Sequence, residues 1–302
     1  MVNLLKSVNE RDEFMKKLAK VLSLVLAFSF VFSACGTKED NAGGKTKDVV
    51  GSAQGVEENT SEDTSLINIK NKGKLVLGLD ASFPPMGYTD EDMNIVGFDI
   101  DLAKEVCERM GVELSLQPIQ WTAKEQELNT KNIDLIWNGL SYSEERAQAM
   151  TLSQTYMLNN QVVVVLADSP INTLADLVGK TVVIQNGSTA SDAMDSHKEV
   201  TDTLKELVKV DDNVQAMMDL KISGSDAVVM DEIVALYYME KEEGTFRVLD
   251  ETLAKEEYVI GFRKGEEAFC EEVERILKEM KEDGTLANIS DTWFGKDVNT
   301  IQ

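Results

Sequence analysis

The chain has 302 residues, 43% of them hydrophobic, which is enough to bury the cores of about two domains. Its 54 acidic residues against 30 lysines and arginines give a formal net charge of -24, which argues against a nucleic-acid partner. One histidine and three cysteines leave few groups for nucleophilic or metal chemistry.

At the N-terminus, Lys16, Lys17 and Lys20 precede an apolar run from Val21 to Phe32 that meets Ser33, Ala34 and Cys35. The run is short for a membrane span and ends in small residues, so residues 1–34 read as a signal peptide. Residues 35–65 have no apolar period and are rich in Gly, Ser, Thr, Asn, Glu and Lys, the composition of a flexible tether. Folding is expected to begin near Leu66. Lys74 to Asp80 reads as a strand that ends in a Phe83-Pro84-Pro85 turn. Phe98, Leu102, Ala103, Val106 and Met110 mark one face of a helix that Gly111 stops. Val112 to Gln117 alternates as a strand, and further β-like runs occur at 133–137, 161–167, 181–185, 227–230 and 258–263. Helical patterns lie between most of them, which predicts an α/β fold of the doubly wound kind with a parallel sheet.

Cys107 and Cys270 fall on predicted helices. An exported protein can pair them, although two buried free thiols are the simpler expectation. His197 lies in a polar helical stretch and is expected on the surface, and no Ser/His/Asp or Cys/His constellation is evident. Neither catalysis nor a cofactor nor a bound metal is expected.

Several segments, taken in order, resemble the bacterial extracellular solute-binding proteins of family 3, the receptors of polar amino acid ABC importers. They are Asp80-Ala-Ser-Phe-Pro-Pro85, Gly97-Phe-Asp-Ile-Asp-Leu-Ala103, Asn138-Gly-Leu-Ser-Tyr-Ser-Glu-Glu-Arg146, Gln185-Asn-Gly-Ser-Thr189, Asp226-Ala-Val-Val-Met-Asp231 and the stretch from Asp283 to Gly295. The resemblance covers about residues 66–297. It implies a two-lobed periplasmic-binding-protein fold of type II whose hinge is two crossing strands. Residues 66–159 plus 254–302 would form lobe 1, residues 160–253 lobe 2, and the ligand would close the cleft between them. The tetrapeptide Phe32-Ser33-Ala34-Cys35 is similar to a bacterial lipobox, with Phe32 in place of the usual Leu. That likeness implies a lipid on Cys35 and an anchor on the outer face of the cell membrane. The implied partners are an amino acid, an ABC permease and the membrane, with no nucleic acid, and a monomer is expected.

A free amino acid offers a carboxylate, an ammonium and a side chain, and each needs its own partner in a dry cleft. A guanidinium holds a carboxylate best, and Arg146 is the candidate, with Ser141 beside it. From the facing lobe, Ser188 and Thr189 open a helix after an apolar strand, a position whose free N–H groups favour an anion. The ammonium needs acceptors only, which Asp231 and the Gly139 carbonyl can supply. The resemblance places Phe83 and Trp121 as flat walls on either side of the ligand, with Asp80, Asn138 and Gln185 at its side-chain end. One carboxylate with two neutral amides favours a polar or cationic side chain over an acidic one. The family pattern frequently has Tyr where Phe83 stands, an aromatic where Met86 stands and Glu where Gly87 stands, so side-chain preference is the part of the resemblance least carried over.

Overall fold

The computed structural model describes residues 62–302. The signal peptide, Cys35 and the tether as far as residue 61 lie outside the described residues. Among the described residues no helix is long and apolar enough to cross a membrane.

The strand β1 (Lys74–Leu79) lies between β5 (Glu113–Pro118) and β6 (Leu135–Ser141), parallel to both. In the other half, β9 (Thr181–Gln185) lies between β10 (Glu206–Val210) and β11 (Ala227–Asp231), again in parallel. Central strands covered on both faces need continuous apolar runs, and Val182, Val183 and Ile184 are completely buried. Two long strands join the halves: β8 (Met157–Leu166) and β12 (Phe246–Arg263), antiparallel to each other. The full order is β10-β9-β11-β8-β12-β6-β1-β5, with the short β7 (Met150–Leu152) pairing the end of β12. The molecule is therefore a two-lobed α/β fold whose lobes meet at two crossing strands. A small antiparallel sheet of β2 (Ser82–Phe83), β3 (Gly87–Thr89) and β4 (Ile95–Val96) follows β1.

Helices cover the sheet. Helix α1 (Ser65–Lys72) leads into β1. Helix α2 (Phe98–Met110) forms where the apolar spacing predicts it. Asp99 and Asp101 sit in its first turn, where negative charge suits the helix dipole, and Gly111 closes it at φ +74°. A short turn of 3-10 helix (Trp121–Ala123) runs into α3 (Lys124–Asn129), and α4 (Glu144–Ala149) follows β6. Then come α5 (Thr189–Ser196), α6 (Lys198–Thr201), α7 (Asn213–Lys221) and α8 (Glu232–Lys241). The chain ends with α9 (Glu267–Glu282) and α10 (Thr285–Phe294). Helix α9 buries Phe269, Cys270, Val273, Ile276, Leu277 and Met280, the spacing of one helical face. Cys107 and Cys270 are both buried free thiols, and His197 caps a short helix near the surface.

Three features differ from the expectations. The sheet is mixed rather than parallel, because the two connecting strands run antiparallel to each other and β12 runs antiparallel to β6. Residues 138–141 continue β6 beyond the expected run at 133–137, since Gly139 takes φ +58° inside the strand without ending it. β12 starts twelve residues before the expected Tyr258, through an acidic, partly exposed stretch whose apolar pattern is too weak to announce a strand. Its pairing with β8 shifts register between Val248 and Ala254.

Candidate functional site

Where strand ends from the two lobes face each other, one small cavity of about 10 Å³ is lined by Asp80, Phe83, Trp121, Asn138, Gly139, Ser141, Arg146, Gln185, Ser188, Thr189 and Asp231. Every candidate binding residue named from the sequence is on that lining. A larger groove of about 900 Å³ opens elsewhere, between α8 and the chain's C-terminal segment, and contains none of them.

From one lobe, β6 delivers Asn138, Gly139 and Ser141, and Ser143 then caps α4 by accepting the Arg146 amide at 3.2 Å. That cap turns the Arg146 side chain back so that its Nη1 donates to the Ser141 carbonyl at 2.6 Å. Burial pulls the guanidinium's pKa down from its ordinary value, and Glu256, Asp192, Glu125 and Asp231 oppose the shift through charge. Among the described residues Arg146 has no ion-pair partner. A buried cation in that position is stabilised by any anion that reaches it.

The Ser141 hydroxyl joins two further groups of the site. It donates to Glu256 Oε2 on β12 at 2.8 Å, and Thr189 Oγ1 from the facing lobe donates to it at 3.4 Å. Behind β6, the fully buried Asp99 accepts the Gly139 N–H at 2.8 Å and the Tyr156 hydroxyl at 2.9 Å through one oxygen, Oδ2. Burial raises its pKa to about 7, and those hydrogen bonds restrain the rise. Gly139 is required for steric reasons as well as for its φ, since a Cβ there would lie 2.7 Å from Phe83 Cε1 and 3.2 Å from the Tyr258 ring.

From the other lobe, Ser188 stands at the N-cap of α5 without capping it. Its Oγ donates instead to the Gln185 carbonyl at 2.8 Å, and Thr189 begins the helix. Among the described residues no side chain caps the start of that helix, whose cap position Ser188 and first residue Thr189 line the cavity, a setting where the dipole favours an anion. Asp231 ends β11 at the N-cap of α8 and does not cap it either. Its Oδ1 accepts from Asn159 Nδ2 and from the Tyr258 hydroxyl, both at 2.7 Å. Burial, helped by the nearby Glu256 charge, raises Asp231 to about 7.

At the far end of the cavity, Asp80 accepts the Ser82 N–H at 2.9 Å and Gln185 Nε2 at 2.6 Å, the latter reaching across the lobes. Burial raises its pKa to about 6, with Asp212 adding charge repulsion. Asn138 Oδ1 accepts the Asp80 N–H at 3.0 Å, and Asn213 Nδ2 lies 3.4 Å from Gln185 Oε1. Met86 is completely buried, and a side chain on Gly87 would collide with the Asn138 amide and Leu79. Those two departures from the family pattern are thus taken up by packing.

Sequence reasoning missed four supporting residues. Asp99 lies in the Gly97–Ala103 segment, whose order carried a signal, although nothing in it showed that this carboxylate is buried. Asn159 and Glu256 belong to the crossing strands, whose pairing brings them beside Asp231. Lys124 reads as a solvated helix residue, yet it is buried: its Nζ donates to the Trp121 carbonyl at 3.3 Å and, across the lobes, to the Gly187 carbonyl at 3.1 Å. Burial, reinforced by Arg146, lowers its pKa to about 8. With the Asp80–Gln185 and Ser141–Thr189 bonds and the Tyr88–Tyr237 ring contact at 5.6 Å, Lys124 holds the lobes in a closed arrangement.

Residues 75–296 match the model of the bacterial extracellular solute-binding proteins, family 3. The chain belongs to this family. It is 30% identical over 239 residues to the L-cystine-binding protein TcyJ of Escherichia coli K12, a match covering 78% of this chain and 88% of that one. It is 31% identical over 226 residues to the arginine-binding extracellular protein ArtP of Bacillus subtilis, covering 74% and 87%. An ABC uptake transporter substrate-binding protein from Streptococcus pneumoniae, solved with bound histidine, superposes with a TM-score of 0.77 at 34% identity, covering 80% of this chain and all of that one. Membership makes this family 3 protein an extracytoplasmic solute-binding protein and not an enzyme. Among the described residues no group of His, Cys, Asp and Glu side chains could hold a metal ion.

Proposed function

We propose that this protein captures a polar or basic L-amino acid, cystine included, between its lobes and delivers it to an ABC importer. The observation that carries the reading is the convergence on one interlobe cavity of a buried guanidinium without an ion-pair partner, Arg146, and a buried carboxylate, Asp231. Those are the two charges a zwitterionic amino acid requires. Arg146, Ser188, Thr189 and the Ser141 backbone receive the ligand carboxylate. Asp231 and the Gly139 carbonyl receive its ammonium, and Phe83 and Trp121 flank the side chain. Asp80, Asn138 and Gln185 meet its polar end, where the Asp80 carboxylate favours a cation. The relatives named for cystine and arginine and the structure holding histidine support this class of ligand.

Lobe boundaries near 159/160 and 253/254 belong to the same reading. They are supported by the start of β8 at Met157 and by the register shifts of β12 before Ala254. Ligand bridging both lobes favours the closed form by its differential affinity, and the permease reads that form. A lipid on Cys35 ties the protein to the outer face of the membrane.

Titration calorimetry of Arg146→Ala and Asp231→Ala tests the site. Each leaves one charged ligand group unpaired in a dry cleft, and binding at micromolar ligand is expected to vanish in both while the fold survives. Near-wild-type affinity in both variants would overturn the assignment.

A further inference from the structure

Glu256 lies on the crossing strand β12 and is not on the cavity lining, yet its Oε2 gathers three donors. Ser141 Oγ donates at 2.8 Å, Asn159 Nδ2 at 3.0 Å and Gln161 Nε2 at 3.1 Å. The same Asn159 nitrogen donates to Asp231 Oδ1 at 2.7 Å. Two carboxylates therefore share one amide donor, and among the described residues neither has an ion-pair partner. Like charges held this close disfavour each other until a cation joins them.

We propose that Glu256 is a positioning residue for the ammonium subsite, holding Asn159 against Asp231 and adding a second negative charge behind the carboxylate that meets the ligand. The inference rests on the reading that Asp231 receives the ligand ammonium. The other groups around Asp231 do not supply the missing cation. Tyr258 from β12 donates a neutral phenol, whose pKa burial raises well above its ordinary value. β8 contributes only the amides of Asn159 and Gln161. Glu232, the next residue on α8, is engaged by Asn160 Nδ2 at 2.6 Å. Arg146, on α4, acts on Asp231 through charge and makes no ion pair with it. An ammonium arriving at Asp231 is thus attracted by two carboxylates, and the Ser141–Glu256 bond links that attraction to the strand carrying the carboxylate grip.

Two substitutions separate charge from architecture. Glu256→Gln keeps an acceptor oxygen for all three donors and removes the charge. Glu256→Asp keeps the charge and shortens the reach. The readout is the titration of Asp231 in ligand-free protein by carboxyl carbon NMR, with the resonance assigned by its loss in Asp231→Asn. The wild-type midpoint is expected near 7. In Glu256→Gln it falls by about one unit as the repulsion is lost, and in Glu256→Asp it stays close to wild type. If Glu256 only braces the strand, the Gln variant keeps the wild-type midpoint and the Asp variant is the more disturbed, and that result overturns the proposal. Affinity for L-arginine, L-histidine and L-cystine is measured alongside. Undiminished binding of these probes by Asp231→Asn removes the underlying reading of Asp231, whatever the Glu256 variants show.

Discussion

Gly139→Ala probes the packing that shapes the cavity. The residue sits in mid-strand at φ +58°, where an L side chain costs about 1–2 kcal/mol. The new methyl would lie 2.7 Å from Phe83 Cε1 and 3.2 Å from two atoms of the Tyr258 ring, both rings being buried. Overpacking of that kind typically costs about 1–3 kcal/mol, because neither ring can move without displacing its neighbours. The sum is roughly 2–5 kcal/mol. For a domain of this size each kcal/mol corresponds to about 2–4 °C in Tm, so the ligand-free variant should melt about 4–20 °C below wild type by circular dichroism. Phe83 lines the cavity and Tyr258 donates to Asp231, so displacing either ring should lower affinity along with stability. A Tm within about 1 °C of wild type would show that the close approach of Gly139 to Phe83 and Tyr258 has been misjudged.

Two further predictions concern pH and one concerns the anchor. Burial holds Asp231 at about 7 in the ligand-free protein, and an ammonium needs the ionised form, so affinity should be greatest near pH 8, below the loss of the ligand's own ammonium proton, and fall roughly tenfold per unit well below 7. Calorimetry at pH 5.5, 7 and 8.5 tests this, and a flat profile contradicts it. Stability should move the other way. Asp80, Asp99 and Asp231 all have folded pKa values above those of an unfolded chain, so the folded state holds more protons between about pH 4 and 7 and loses stability as pH rises through that window. Urea denaturation of the ligand-free protein should therefore give a higher midpoint at pH 5.5 than at 7.5, and the reverse order would contradict the burial of these groups. Replacing Cys35 with Ala should release the protein from membranes without changing affinity, as fractionation and calorimetry on one preparation would show.

The sequence revealed most where local pattern and tertiary demand coincide. Helix α2 has its apolar stripe, its acidic first turn and its Gly111 stop all in the chain, and β9 is a plain buried apolar run, so both were legible. The cavity lining was legible because its residues sit at strand ends and helix starts inside recognisable segments. The crossing strand β12 was only partly legible, because its middle is acidic and partly exposed and gains its strand character from pairing with β8. Glu256, Asn159 and Lys124 escaped for a related reason: charged and amide residues in polar stretches read as solvated, and only the meeting of two distant strands or two lobes buries them. Asp99 shows the same limit inside a helix, where an acidic first turn is ordinary and complete burial against Gly139 and Tyr156 depends on how α2 packs on β6.

The central claim is that the cleft binds an amino acid, and a thermal-shift screen of residues 62–302 against the common L-amino acids and cystine tests it most directly. A ligand that binds only the folded state raises its stability by mass action. The account predicts a large upward shift with one or a few polar or basic amino acids, and loss of that shift in Arg146→Ala. No shift with any of them, after unfolding and refolding to strip carried-over ligand, would contradict it.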